Sequence, residues 1–143
     1  MSIQNNIINV GDVMLTIKNF PVVNENTIVK EALEKMDIFR LGIVCIADSD
    51  DHLLGIMTDG DIRRKLLAVQ KPLSAFFVDD AINQAIKNPV TATHDMSLFD
   101  AVNLMEERQI WDLPVMDGNK LIGLLHLHAA VKSLLSNIET FGQ

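Results

Sequence analysis

The chain contains two copies of one pattern of segments, and this internal repeat limits the possible folds more than any other feature of the sequence. The matched positions are Ala32 and Ala101, Met36 and Met105, residues 45–48 and 114–117, and, after one deletion in a turn, residues 54–56 and 122–124. Such self-similarity indicates two copies of one supersecondary unit. Each copy is too small to bury both faces of its short strands. We therefore predict an α/β fold of the α+β kind, in which the two units pack pseudo-symmetrically through their sheets.

The repeat also divides the chain. The predicted parts are a first copy at residues 10–70, a linker at 71–80, a second copy at 81–136, and terminal segments at 1–9 and 137–143. Each copy begins with a helical lead-in (10–15 and 81–86) and continues with an extended Pro-Val segment (20–23 and 88–91). An amphipathic helix, two strands and a closing helix are predicted to follow in each copy.

The amphipathic helices carry apolar residues at i, i+3, i+4 and i+7, the spacing of one buried helix face. These residues are Val29, Ala32, Leu33 and Met36 in the first copy and Leu98, Ala101, Val102 and Met105 in the second. Asn and Thr residues at 24–27 are predicted to cap the first helix, and Ser97 with Asp100 forms a capping-box pattern before the second. Apolar runs at 43–47 and 53–57 predict two strands, and residues 61–69 predict the closing helix of the first copy.

Composition excludes several classes of function. A formal net charge of −7 argues against nucleic-acid binding, which depends largely on Lys and Arg that neutralise phosphates. The one cysteine, Cys45, lies in an apolar run, so we expect a buried thiol. No secretory leader and no apolar stretch of about 20 residues is present, so we expect a cytoplasmic protein without a membrane span.

Polar chemistry is concentrated at residues 55–64, where an apolar strand runs into a helix. Thr58, Gly60 and Asp61 stand at the junction, and Arg63 and Arg64 follow. We expect Gly60 to free the backbone in a tight turn. The unpartnered N–H groups at a helix N-terminus favour a phosphorylated ligand there.

The second copy keeps the fold signal at this junction but not the polar residues. His126 and Ala129 occupy the positions of Thr58 and Asp61. Packing explains the apolar positions that recur in both copies, whereas it does not require polar residues that occur in only one. The sequence therefore predicts one polar ligand site in the first copy and a degenerate or different one in the second.

The repeat, with its Gly-hydrophobic-hydrophobic-Thr-x-x-Asp ending at residues 55–61, resembles a pair of CBS (cystathionine-β-synthase) domains, or Bateman module, across residues 10–135. Residues 55–64 and 121–128 are similar to the C-terminal CBS pair of sugar-phosphate isomerases of the arabinose-5-phosphate type. Similar pairs precede some sugar-nucleotidyltransferase domains. The resemblance implies two βαββα repeats and a ligand bound between them.

The family resemblance also implies roles for individual residues. Thr58 would contact the phosphate of an adenosine-type ligand and Asp61 its ribose, since an ionised carboxylate accepts both vicinal hydroxyls. The base would contact the other copy, with Ile56 beneath the ring; the residues implied are Asn88, Val90, Ile110, Trp111 and Asp112. The mirror-image site would use His126 and Ala129 with Phe20, Leu41 and Gly42, and it lacks the ribose carboxylate.

Several of these residues have a second interpretation. Asp59 and Asp61 are equally suited to capping a helix. Arg63 and Arg64 either reach a phosphate or form a solvated face, and Trp111 either stacks on a base or packs between subunits. His126 and His128 belong to no metal-binding spacing, so no metal is predicted.

We find no nucleotide-hydrolysis loop, serine elbow or base beside Cys45 in the sequence. The predicted function is therefore a non-enzymatic regulatory module without a cofactor, whose candidate ligands are AMP, ATP or a nucleotide-sugar. Its expected partners are a second copy of the chain and a sugar-phosphate isomerase or nucleotidyltransferase domain. The alternative is an oligomerisation scaffold without a physiological nucleotide.

Overall fold

A computed structural model describes residues 7–68 and 72–142, with side chains to residue 137. The elements in chain order are α1 (Val10–Val13), β1 (Leu15–Thr16), β2 (Val22–Val23), α2 (Val29–Phe39), β3 (Ile43–Ala47), β4 (Leu53–Thr58), α3 (Asp59–Ala68), α4 (Leu73–Val78), α5 (Ala81–Gln84), β5 (Ala92–Thr93), α6 (Leu98–Arg108), β6 (Asp112–Asp117), β7 (Lys120–His126) and α7 (Leu127–Gly142). This is a mixed α/β fold with two sheets, as predicted.

The chain forms two compact units. The N-terminal unit contains residues 17–89 and 119–121, and the C-terminal unit contains the described residues before 17, residues 90–118 and those from 122 onward. These units differ from the sequence repeats at the lead-ins. Helix α1, which opens the first repeat, belongs to the C-terminal unit, and α5, which opens the second, belongs to the N-terminal unit.

The sheet of the N-terminal unit has the strand order β2-β3-β4, with β2 parallel and β4 antiparallel to β3. All five residues of β3 are buried, which explains its uninterrupted apolar sequence. Helix α2 buries Val29, Ala32 and Met36, which confirms the predicted apolar face. These residues share a hydrophobic cluster with Met57 and Phe76.

The sheet of the C-terminal unit has the strand order β1-β7-β6-β5. Leu98, Ala101 and Met105 are fully buried on α6 and pack in a cluster with Leu113 and Val115 of β6. The Oγ of Ser97 accepts the N–H of Asp100 at 3.1 Å, so the predicted cap of this helix is confirmed.

A recurring glycine allows a lead-in to approach β4 or β7 closely. A Cβ at Gly55 would lie 2.9 Å from the carbonyl oxygen of Ile86 and 3.1 Å from the Ala85 side chain. At Gly123, the equivalent position in the second copy, it would lie 2.8 Å from the carbonyl oxygen of Leu15. Backbone packing therefore accounts for this glycine in both copies.

Three local predictions were wrong. Gly60 is not in a turn, because α3 begins at Asp59 directly after β4. Thr27 does not cap α2, whose N-cap is Ile28 without a side-chain cap. The Thr27 hydroxyl instead donates to the side chain of Asn24 at 3.2 Å. The extended segment of the second copy lies at Ala92–Thr93, after the Pro-Val pair, because Ala92 pairs with Val115 as Val23 pairs with Ile46.

Sequence patterns missed other parts of the fold. Helix α4 lies within the predicted linker and buries Phe76, and α7 continues through most of the predicted C-terminal segment. Strand β1 follows the lead-in helix α1. Over the described ranges, no helix has both the length and the apolar character needed to cross a bilayer.

Candidate functional site

The junction of β4 and α3 is organised by reciprocal hydrogen bonds between Thr58 and Asp61. The Thr58 Oγ accepts the N–H of Asp61 at 3.2 Å and donates its proton to Asp61 Oδ2 at 2.8 Å. Asp61 Oδ2 also accepts the backbone N–H of Thr58 at 3.2 Å. This is a capping box, so the helix-capping interpretation of Asp61 is realised at this junction.

The other carboxylate oxygen of Asp61 faces a cation. Arg64 Nη2 donates to Asp61 Oδ1 at 2.8 Å, and the Arg64 side chain is 63% exposed whereas that of Asp61 is only 13% exposed. Gly60 leaves room for this contact, because a Cβ there would lie 3.2 Å from both terminal nitrogens of Arg64. Arg63 and Asp59 are exposed. At this partly exposed junction, the Asp61 carboxylate therefore lies between a hydroxyl and a largely exposed guanidinium side chain.

Two other predicted site residues lie in the same unit. Ile56 is buried on β4, and its backbone N–H and carbonyl group both pair with Ile86, at 3.0 and 2.8 Å. Asn88, two residues after Ile86, is exposed. The N-terminal unit also contains Phe20, which is buried, and Leu41 and Gly42, which are partly buried.

The remaining predicted residues belong to the C-terminal unit. Val90 and Ile110 are partly buried, and Trp111 is 70% exposed. The side chain of Asp112 is only 7% exposed. The predicted set is therefore divided between units: Thr58, Asp61 and their neighbours in one, and the residues from Val90 to Asp112 in the other.

The corresponding junction of the second copy, between β7 and α7, has different chemistry. His126 Nδ1 lies 2.8 Å from Asp112 Oδ1, and Ala129 stands where Asp61 stands in the first copy. Burial raises the pKa of Asp112, and the hydrogen bond from His126 opposes part of that rise. The carboxylate that we assigned to base contact is thus engaged by an imidazole of its own unit.

The two junctions share an equivalent backbone hydrogen bond. The N–H of Leu127 donates to the carbonyl oxygen of Trp111 at 2.8 Å, as the N–H of Asp59 donates to that of Gly42 at 3.0 Å. Sequence reasoning missed the Asp112–His126 pair, although the repeat contained a signal for it. These two residues occupy the positions of Ile43 and Thr58, which are paired across the β3–β4 ladder.

Comparisons with known proteins agree with the repeat. The family model described as "CBS domain" matches residues 10–68 and 78–136. An uncharacterized protein of Rickettsia prowazekii is 30% identical over 123 residues, which are 86% of this chain and 37% of that protein. Arabinose 5-phosphate isomerase KdsD of Yersinia pestis is 31% identical over 127 residues, which are 89% of this chain and 38% of that enzyme. The chain thus spans less than half the length of these curated relatives.

Among solved structures, CBSX2 of Arabidopsis thaliana in complex with AMP is similar along most of its length. The TM-score is 0.79 at 28% sequence identity, and the match covers 90% of this chain and 97% of that one.

Proposed function

The chain belongs to the CBS-domain family as a pair of such domains, and from this we propose that it is a non-catalytic regulatory module that binds an adenine nucleotide at the junction of Thr58 and Asp61. The observation that carries the proposal is the asymmetry between the two junctions. In the first, one carboxylate contacts both a hydroxyl and a guanidinium, whereas the second has Ala129 in place of that carboxylate. CBSX2, a similar protein, was solved with AMP, which supports an adenine nucleotide as the first ligand to test.

In the proposed complex, the ribose hydroxyls replace Arg64 as the hydrogen-bond donors to Asp61 Oδ1. Asp61 Oδ1 accepts from Arg64, whose side chain is largely exposed and therefore costs little to displace. Vicinal ribose hydroxyls that donate to this oxygen form charge-assisted bonds, each contributing about 1.5–3 kcal/mol. The released guanidinium remains tethered one turn into α3, where it contacts the phosphate. The Thr58 hydroxyl joins it by exchanging its bond to Asp61 Oδ2 for one to the phosphate.

The test is a titration of the chain with AMP, followed by calorimetry and by thermal unfolding. AMP at a hundredfold excess over its dissociation constant is expected to stabilise the fold by about 2.7 kcal/mol. Asp61→Asn keeps the size of the side chain but removes its charge, and it is expected to abolish most of this effect. Asp59→Asn is the matched control, because Asp59 is an exposed neighbour with the same charge. Equal affinity for AMP in both variants would contradict the assignment of ribose to Asp61.

The proposed movement of Arg64 has a separate test. Arg64→Gln is expected to weaken the binding of AMP and leave that of adenosine nearly unchanged, since only AMP carries a phosphate. Arg63→Gln changes the adjacent exposed arginine and serves as the control. If Arg64→Gln weakened adenosine and AMP equally, Arg64 would not be the phosphate ligand.

The ligand base and the regulated enzyme belong to the same proposal. We assign base contacts to Ile56, Asn88, Val90, Ile110 and Trp111, each tested by alanine substitution and AMP titration. ATP and nucleotide-sugars are the competing ligands in that titration.

The 31% identity to part of KdsD of Yersinia pestis supports a sugar-phosphate isomerase as the regulated enzyme. The measurement is isomerase activity with this chain added, with and without AMP.

A second candidate function is assembly of an oligomer. The observation that favours it is the exposure of two large aromatic side chains of the C-terminal unit, Trp111 at 70% and Phe99 at 65%. Exposed aromatic residues of this size are enriched at protein interfaces. Size-exclusion chromatography with light scattering tests this function. Loss of a dimer in Trp111→Ala, with AMP affinity unchanged, would favour the scaffold.

A further inference from the structure

The turn between β3 and β4 brings together two carboxylates and an imidazole, at the opposite end of the hairpin from Thr58. One ligand atom from each of Asp48, Asp50 and His52 lies within 4.8 Å of the other two. From this arrangement we propose that the turn binds a divalent transition-metal ion of the Mn²⁺ to Zn²⁺ series. The proposal does not depend on nucleotide binding at Asp61.

The carboxylate of Asp48 is positioned by the backbone of the turn. Its Oδ1 accepts the N–H groups of Asp50 and His52, both at 2.9 Å. This leaves Oδ2 directed at His52 Nδ1, 3.1 Å away. Two adjacent ligands of one ion, each bound at about 2.1 Å, are separated by about 3 Å, so this pair already has the spacing that coordination requires.

The ligand set is accessible. The His52 side chain is 45% exposed and that of Asp48 is 28% exposed. An ion therefore reaches both without unfolding of the turn.

The chemistry of the three groups selects the class of metal. Ca²⁺ and Mg²⁺ prefer oxygen ligands alone, whereas imidazole nitrogen suits Zn²⁺ and its first-row neighbours. One nitrogen and two carboxylate oxygens fill half of an octahedron, and water completes it. Coordination requires an unprotonated Nδ1, so His52 carries its proton on Nε2 when the metal is bound. A neutral ring that carries its proton on Nδ1 changes to the Nε2–H tautomer as the ion binds, with no net release of protons.

The surface beside the turn favours cations. An open groove of about 480 Å³ is bordered by Asp48, Asp51, Glu31 and Glu34, and Lys35 is the only basic residue among the described ones that line it. Apolar residues such as Val22 and Ile38 line the rest. A concave surface with an excess of negative charge concentrates cations near its ligands.

Two other imidazoles, those of His94 and His126, provide a contrast. His94 is exposed beside Asp95, but no third ligand residue joins them within the described part of the chain. His126 is bonded to the buried Asp112. The turn at 48–52 is the one place in residues 7–68 and 72–137 where three such groups are within reach of one ion.

The test is calorimetric titration of the full chain with Zn²⁺, and with Mn²⁺ followed by NMR line broadening of the imidazoles. We expect one ion per chain and broadening of the His52 ring before that of His94. His52→Ala is expected to weaken Zn²⁺ binding by roughly tenfold to a hundredfold. His94→Ala removes an exposed imidazole outside the turn. It is expected to change the affinity for Zn²⁺ by less than about twofold.

Asp50→Asn is a second variant, chosen to preserve the fold. Asp50 is exposed, and among the described residues none donates a hydrogen bond to its side chain. It is expected to weaken Zn²⁺ binding with an unchanged circular dichroism spectrum. The proposal is overturned if His52→Ala and Asp50→Asn bind Zn²⁺ as the unmodified chain does, or if His94→Ala loses as much affinity as His52→Ala.

Discussion

The second junction has a carboxylate, Asp112, at a position where the first junction has none. Asp112 stands where the first copy has Ile43, and its side chain is only 7% exposed. Burial raises its pKa above the usual 3.8. A carboxyl group with a higher pKa in the folded than in the unfolded chain stabilises the fold below 3.8, and this contribution is lost as pH rises through the raised pKa.

Asp112→Asn therefore changes how stability depends on pH. Between about pH 4 and pH 5.5, below the range where imidazoles titrate, the free energy of unfolding of the unmodified chain is expected to fall relative to that of the variant. Urea unfolding at a series of pH values measures this difference. Asp117→Asn, at the exposed end of the same strand, controls for the loss of one charge. A difference that stayed constant or increased with pH would contradict the prediction.

The comparison between the two copies singled out individual residues, whose roles in ligand binding stay predictions. Thr58 and Asp61 stood out because the second copy has neither, and the structure places their side chains in direct contact. Asp112 and His126 were both named but not as a pair, because they are 14 positions apart in sequence and only strand register brings them within 2.8 Å. The prediction for Gly60 was wrong because glycine can provide either backbone freedom in a turn or space for a neighbouring side chain. Here it provides space for Arg64 within a helix rather than freedom in a turn.

The two amphipathic helices begin with different caps, although they occupy equivalent positions. Ser97 Oγ accepts the N–H of Asp100 at the start of α6, whereas Thr27 is not the N-cap of α2. Ser97→Ala is expected to lower the free energy of unfolding by about 1 kcal/mol, the usual cost of losing such a cap. Thr27→Ala is expected to cost less, because within the described part of the chain its hydroxyl bonds only to the exposed Asn24.

Chemical unfolding of both variants compares these costs directly. Amide exchange at the first turn of each helix adds a local measurement, in which only Ser97→Ala is expected to lower protection. An equal loss in the two variants would mean that Thr27 stabilises α2 by another route.

Secondary-structure elements were predictable where their burial allows only one sequence pattern. Strand β3 was predicted to its end residues, because a strand with every residue buried must be apolar throughout. Two-residue strands such as β1 and β5 have no periodicity of their own, and tertiary pairing alone defines them. Helix α4 was missed for a similar reason, since six residues that bury one phenylalanine do not show a helical stripe.

At the scale of the molecule, each compact unit takes its residues from both sequence repeats. The lead-in residues 81–86 pack on Gly55 of the N-terminal unit, and Met14 and Leu15 pack on Gly123 of the C-terminal unit. Strand β7 begins in the N-terminal unit and continues in the C-terminal one. A single break between the two sequence repeats would therefore not separate the chain into these two units. This arrangement favours a single cooperative unfolding transition.

Matched core substitutions test this cooperativity. Met36 in the N-terminal unit and Met105 in the C-terminal unit are both buried at equivalent repeat positions, and each Met→Ala change is expected to cost about 2–5 kcal/mol. Trp111, the one tryptophan of the chain, reports on the C-terminal unit by fluorescence, while circular dichroism reports on both units. Because unfolding is expected to be cooperative, Met36→Ala should shift the Trp111 transition as far as it shifts the circular dichroism transition. Met105→Ala is the reciprocal control, and a Trp111 midpoint that resisted Met36→Ala would show instead that the two units unfold separately.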